Sequence, residues 1–152
     1  MDAMSQYATQ AIVSMRARSL TSCRSNAANG DIKIVVGTES PHTFFVQRQD
    51  LEESSEYFVK ALRNQHLGEA SQPGVLLFPT DHAVVWEALL LWVQKGFVAS
   101  DIVDNVEFAI HCWALGDKLC MAHFQNQVRA LQVAGTIIRL TVSDMLGYAR
   151  VD

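Results

Sequence analysis

Alternation is the chain's first strong pattern. Ile32, Ile34 and Val36 occupy every second position after Asp31, with Lys33 and Val35 between them, and Gly37 ends the run. A period of two predicts a strand, and Asn29-Gly30 just before it is a turn signal. Residues 37–42, with Gly37, Ser40 and Pro41, predict a turn. Phe44, Phe45 and Val46 predict a second strand, antiparallel to the first. The period then changes: Leu51, Ser55, Phe58 and Leu62 fall at i, i+4, i+7 and i+11, one face of a single helix. Asp50, with Glu53 three residues on, is its expected capping pair.

The stretch from Asn64 to Gly74 is polar, holds Pro73 and predicts a loop. Val75 to Phe78, closed by Pro79, predicts a short buried strand. From Asp81 to Val93 the apolar positions Val84, Val85, Ala88, Leu89, Leu91 and Trp92 leave few polar sides, as in a central helix ending at Gly96. Asp104 and Glu107 offer a second capping pair before Val106, Ala109, Ile110, Trp113 and Leu119. A last amphipathic helix runs through Phe124, Val128 and Leu131, with Gly135 as its expected stop. The segment from Ile137 to Tyr148 reads equally as a further helix or as a trailing end. Helical spacing assigns Trp92 and Trp113 to the core, whereas Trp86, beside acidic residues, is expected at the surface. Two strands, a helix, a third strand and then only helices define an α+β domain, a small three-stranded sheet covered by a cluster of α-helices.

Length bounds this to one domain with short ends: 152 residues, expected to divide into a flexible tail over 1–29, a folded domain over 30–133 and a C-terminal extension over 134–152. At 49% hydrophobic and 18% charged the chain has ample core material. It carries a net charge of −4, and between Asp31 and Leu131 seven Lys or Arg face thirteen Asp or Glu. Nucleic-acid binders present a basic stripe to phosphates, and none is visible here. No apolar run approaches the ~20 residues that span a bilayer, so no membrane partner is expected. Arg16, Arg18 and Arg24, with one acid at Asp2, share the composition of a mitochondrial presequence, but a tail ordered by a partner or not at all is the reading adopted. The three cysteines, Cys23, Cys112 and Cys120, do not form a secreted disulfide framework. Cys112 and Cys120, read on one helix about 12 Å apart along its axis, are expected as small buried thiols in a reducing compartment, cytoplasm or nucleus.

This order of elements and its motifs resemble the BTB/POZ domain, most closely the stand-alone type of fungal proteins. Asp31 to Val36 looks like that family's Asp-led first strand. Phe44 to Phe58 resembles an aromatic strand leading to a basic residue, here Arg48, then Leu51, Ser55, Tyr57 and Phe58. Leu89 to Gly96 is similar to its apolar helix with an aromatic-x-Gly turn, and Ala114 to Leu119 to its alanine-rich Asp-Lys helix. The likeness spans residues 31 to about 131. Gln47 stands where the family usually has His, and Gln94 where it usually has Tyr.

The resemblance implies a protein-interaction module that homo-oligomerises or recruits partners, sometimes onto a cullin-type ubiquitin-ligase scaffold, with no cofactor. Val85-Trp86-Glu87 stands where cullin-binding members carry a hydrophobic-x-Glu motif. Val85 would fill a pocket on the scaffold and Glu87 set the register; the plainer reading makes Val85 core and Glu87 a solvated carboxylate. Asp31 and Arg48 match positions that line a charged pocket at the family's dimer interface, or else form an ordinary surface ion pair. The segment Tyr7 to Leu20, with Ala11, Ile12, Met15 and Leu20 loosely spaced, resembles the family's swapped N-terminal helix. Enzymatic readings find little footing. There is no Gly-x-Ser-x-Gly, no His-Glu-x-x-His and no glycine-rich phosphate loop. The nearest metal-like set is His111, Cys112, Cys120 and His123, and the adjacent His111 and Cys112 diverge by about 100° on a helix.

Overall fold

β1 (Asp31–Val36) pairs antiparallel with β2 (His42–Gln47) and parallel with β3 (Val75–Phe78), giving the sheet order β2-β1-β3. The computed structural model describes residues 30–64, 72–98 and 100–148, with residue 101 and residues 142–148 described by backbone course only. The tail over 1–29, the Tyr7–Leu20 segment and most of the 64–74 loop lie outside the described residues.

Register follows the alternation. Ile32 stands opposite Val46, and Ile34 sits between Phe44 and Leu76. The sheet thus turns Ile32, Ile34, Val36, Val46, Leu76 and Phe78 into the core and leaves Lys33, Val35, Phe45 and Leu77 on the other face. A parallel partner needs a crossover, and two helices supply it: α1 (Arg48–Ser54) and α2 (Glu56–Asn64). The single helix expected over Leu51 to Leu62 is broken between them. Ser55 is extended (φ −160°, ψ 136°); its Oγ accepts from Tyr57 N at 3.0 Å and donates to Leu119 O. Leu51, Phe58 and Leu62 are still buried, as their spacing required. The Asp50–Glu53 cap is not formed, because α1 already begins at Arg48; Asp50 lies in its first turn and Glu53 accepts from Gln49 Nε2 at 2.7 Å.

α3 (Ala83–Lys95) is the central helix and ends at Gly96, whose φ of 75° is open to glycine at no steric cost. A short α4 (Asp101–Asp104), not expected from the pattern, precedes α5 (Val106–Lys118). The cap of α5 is Asn105, whose Oδ1 accepts from Phe108 N at 2.9 Å, in place of the expected Asp104–Glu107 pair. α6 (Ala122–Tyr148) runs 27 residues, straight through Gly135 and through position 134, where the extension was expected to begin. Gly135 is there for contact: a Cβ at this position would collide with Val103 Cγ1. One core joins these layers, with Trp86 at its centre, its ring 4.4 Å from Phe78 and 6.5 Å from Phe58 between centroids. Each such side chain, fully buried, contributes roughly 1.5–3 kcal/mol. Among the described residues no helix is long and apolar enough to cross a membrane.

Candidate protein-interaction surface

α5 carries two apolar stripes on opposite sides. Phe108, Cys112, Leu115 and, just past its end, Leu119 are buried against α3 and α6. Val106, Ile110 and Trp113, at i, i+4 and i+7, point the other way and are 56%, 60% and 46% exposed. A helix docked on its own domain can bury only one such stripe. The second is left as an apolar row beside the exposed carboxylates of Glu107 and Asp117. Gln125 of α6 fixes its far end, donating to Trp113 O at 3.3 Å and to Asp117 Oδ1 at 3.5 Å. Trp113 was expected in the core and is instead the largest side chain of this row. The signal lay in the sequence as two interleaved i, i+3/i+4 series in one helix, more apolar positions than one face accommodates.

The other tryptophans correct the expectation in the opposite sense. Trp86 is fully buried, and its Nε1 donates to Asp81 Oδ2 at 3.0 Å. The acidic neighbour that made it look like a surface residue is its hydrogen-bond acceptor. Trp92 is partly buried as expected, packs on Phe124 and donates to Gln127 Oε1 at 2.9 Å. Val85 is only 4% exposed and belongs to the core. Of Val85-Trp86-Glu87, Glu87 alone reaches partial exposure, so the pocket-filling role drawn for Val85 has no side chain available to perform it.

Asp31 and Arg48 are not joined to each other. Arg48 Nε pairs with Glu52 Oε1 at 2.8 Å along α1, an exposed i,i+4 bridge worth about 0.3–0.5 kcal/mol. Asp31 is buried, and its Oδ2 has no hydrogen-bond partner among the described residues. A stronger pair links β3, α3 and α5: Lys118 Nζ reaches Asp81 Oδ1 at 2.7 Å and lies 5.4 Å from the Phe78 ring centroid.

The residues once grouped as metal-like separate. Cys112 is buried, and burial pushes its thiol from 9.0 up to about 12. Cys120, expected buried on the same helix, lies beyond the end of α5, exposed and at φ 55°. His111 packs edge-on against His82, 5.7 Å between centroids. Among the described residues no three His, Cys, Asp or Glu side chains stand together in a way that could hold a metal ion.

Neither a family model nor a curated relative matches the sequence. Solved structures do. The chain is similar to the BTB domain of zebrafish PATZ1, with a TM-score of 0.52 at 11% identity over 86% of this chain and 94% of that one. It is similar also to the BTB domain of human gigaxonin, with a TM-score of 0.51 at 12% identity over 86% and 92%. The small β2-β1-β3 sheet under its helices is therefore a BTB-like α+β fold.

Proposed function

We propose that the chain is a protein-interaction module with no catalysis of its own, and that it recruits a protein partner through the outer face of α5. The observation that carries this reading is the row Val106, Ile110 and Trp113, apolar and exposed on a helix whose opposite face already fills the core. Tryptophan is enriched among the residues that dominate binding energy, and contiguous exposed apolar surface marks contact sites. Glu107 and Asp117 beside the row favour a partner segment with apolar anchors and basic residues at its rim. The BTB fold supports the same class of role. Asp31, buried like Val85 and with Oδ2 out of a partner's reach, is not assigned to the contact. Docking on a cullin-type scaffold through Val85-Trp86-Glu87 draws no support from residues packed inside the domain.

The test is capture from native extract by the full chain, beside Ile110→Asp and Trp113→Asp. The wild type is expected to retain a protein that both variants bind about tenfold or more weakly, with unchanged circular dichroism. A partner retained equally by all three would remove α5 as the contact face.

A further inference from the structure

Two imidazoles meet where the start of α3 passes the flank of α5. His82, the residue just before α3, and His111, in the second turn of α5, stand 5.7 Å apart between ring centroids, with their planes 76° apart. His82 is exposed and His111 half-buried, so an ion in solution can reach the pair. Among the described residues neither ring takes part in a hydrogen bond. Their backbones are held from close by. His82 O accepts from Val85 N at 3.1 Å and from Trp86 N at 3.2 Å. Next to it Asp81 holds Lys118, which follows His111 by two turns on the same side of α5. That bridge sets the register at which one histidine meets the other.

We propose that His82 and His111 together hold a divalent transition-metal ion of the zinc or copper class, joining α3 to α5. Imidazole nitrogen suits these ions. At metal–nitrogen bonds of about 2.0–2.1 Å, two imidazoles on one ion stand about 5–6.5 Å apart between ring centres. The observed 5.7 Å lies inside that interval. The outer torsion of histidine is broad, so each ring can turn a nitrogen into the gap with its backbone unmoved and no hydrogen bond broken. Glu107 lies one turn before His111 and about 40° around the axis, an exposed carboxylate on the same flank that favours a cation there. Among the described residues no third His, Cys, Asp or Glu joins the pair. Water therefore completes the coordination, and the affinity is micromolar, below that of a closed four-ligand site. Neither histidine belongs to the outer row of α5, so failure here leaves the recruiting role of that row standing.

Calorimetric titration of the reduced full chain with Zn2+ to about 500 μM covers that affinity. One ion per chain is expected to bind, with a rise in the thermal midpoint, since an ion that binds only the folded state stabilises it. His82→Gln and His111→Gln keep a polar side chain without the imidazole. Each should weaken binding about tenfold or more and remove the thermal shift. The double variant should lie within about twofold of either single one, because one histidine alone holds little. Cys120→Ser and His123→Ala, which remove the exposed thiol and imidazole at the start of α6, should bind as the wild type does. No binding by the wild type would overturn the inference. So would binding that His82→Gln and His111→Gln leave unchanged, or that Cys120→Ser or His123→Ala abolishes.

Discussion

Trp86 Nε1 donates to Asp81 Oδ2 at 3.0 Å, and the same carboxylate holds Lys118 through both its oxygens. One side chain thus satisfies the only polar atom of the core's largest residue and ties the start of α3 to the end of α5. That tie holds the frame from which the outer row of α5 projects.

Replacing Asp81 by Ala leaves the indole N–H buried without an acceptor and Lys118 without a partner. The expected loss is about 1–3 kcal/mol of unfolding free energy in denaturant titrations. Asp81→Asn keeps an acceptor for Trp86 and should lose less. Equal effects would mean that the ion pair, and not the indole bond, dominates.

Gly135→Ala should destabilise even though Ala is favoured over Gly in a helix by about 0.8–1 kcal/mol. The new methyl meets Val103, and overpacking of this kind costs about 1–3 kcal/mol. Combining it with Val103→Ala should reverse the sign and return the helix-propensity gain. Thermal unfolding of the four members of this cycle checks it.

Cys112 gives a pH prediction. Its folded-state thiol is raised from 9.0 to about 12 by burial. The unfolded chain loses this proton first, so the contribution is complete below pH 9 and falls as pH climbs toward 12. The slope is about 1.4 kcal/mol per pH unit. Cys112→Ala should remove that part of the alkaline loss, read as the difference between the two pH–stability curves. At pH 8, iodoacetamide should modify exposed Cys120 and spare Cys112 in the folded protein.

The sheet was legible because period-two alternation needs no knowledge of the rest of the chain: Ile32, Ile34 and Val36 face inward as read. So were the ends of α3, since Gly96 does what a helix-terminal glycine commonly does. Gly135 looked the same in sequence but answers to Val103, a residue 32 positions away, which local pattern cannot reveal. Ser55 was an on-face residue by spacing, yet its hydroxyl bonds Leu119 O and caps α2, so the helix breaks where periodicity ran on. The interaction face was obscured for a related reason. Helical periodicity marks apolar positions without saying which of two stripes the fold will cover. Trp113 and Trp86 were accordingly exchanged between surface and core.

The most direct measurement uses the three indole N–H resonances of the full chain while the captured partner is titrated in. Trp113, in the outer row of α5, should shift or broaden on binding. Trp86, held inside by Asp81, should stay unmoved apart from what global tumbling imposes. A complex that leaves the Trp113 indole undisturbed would contradict the account.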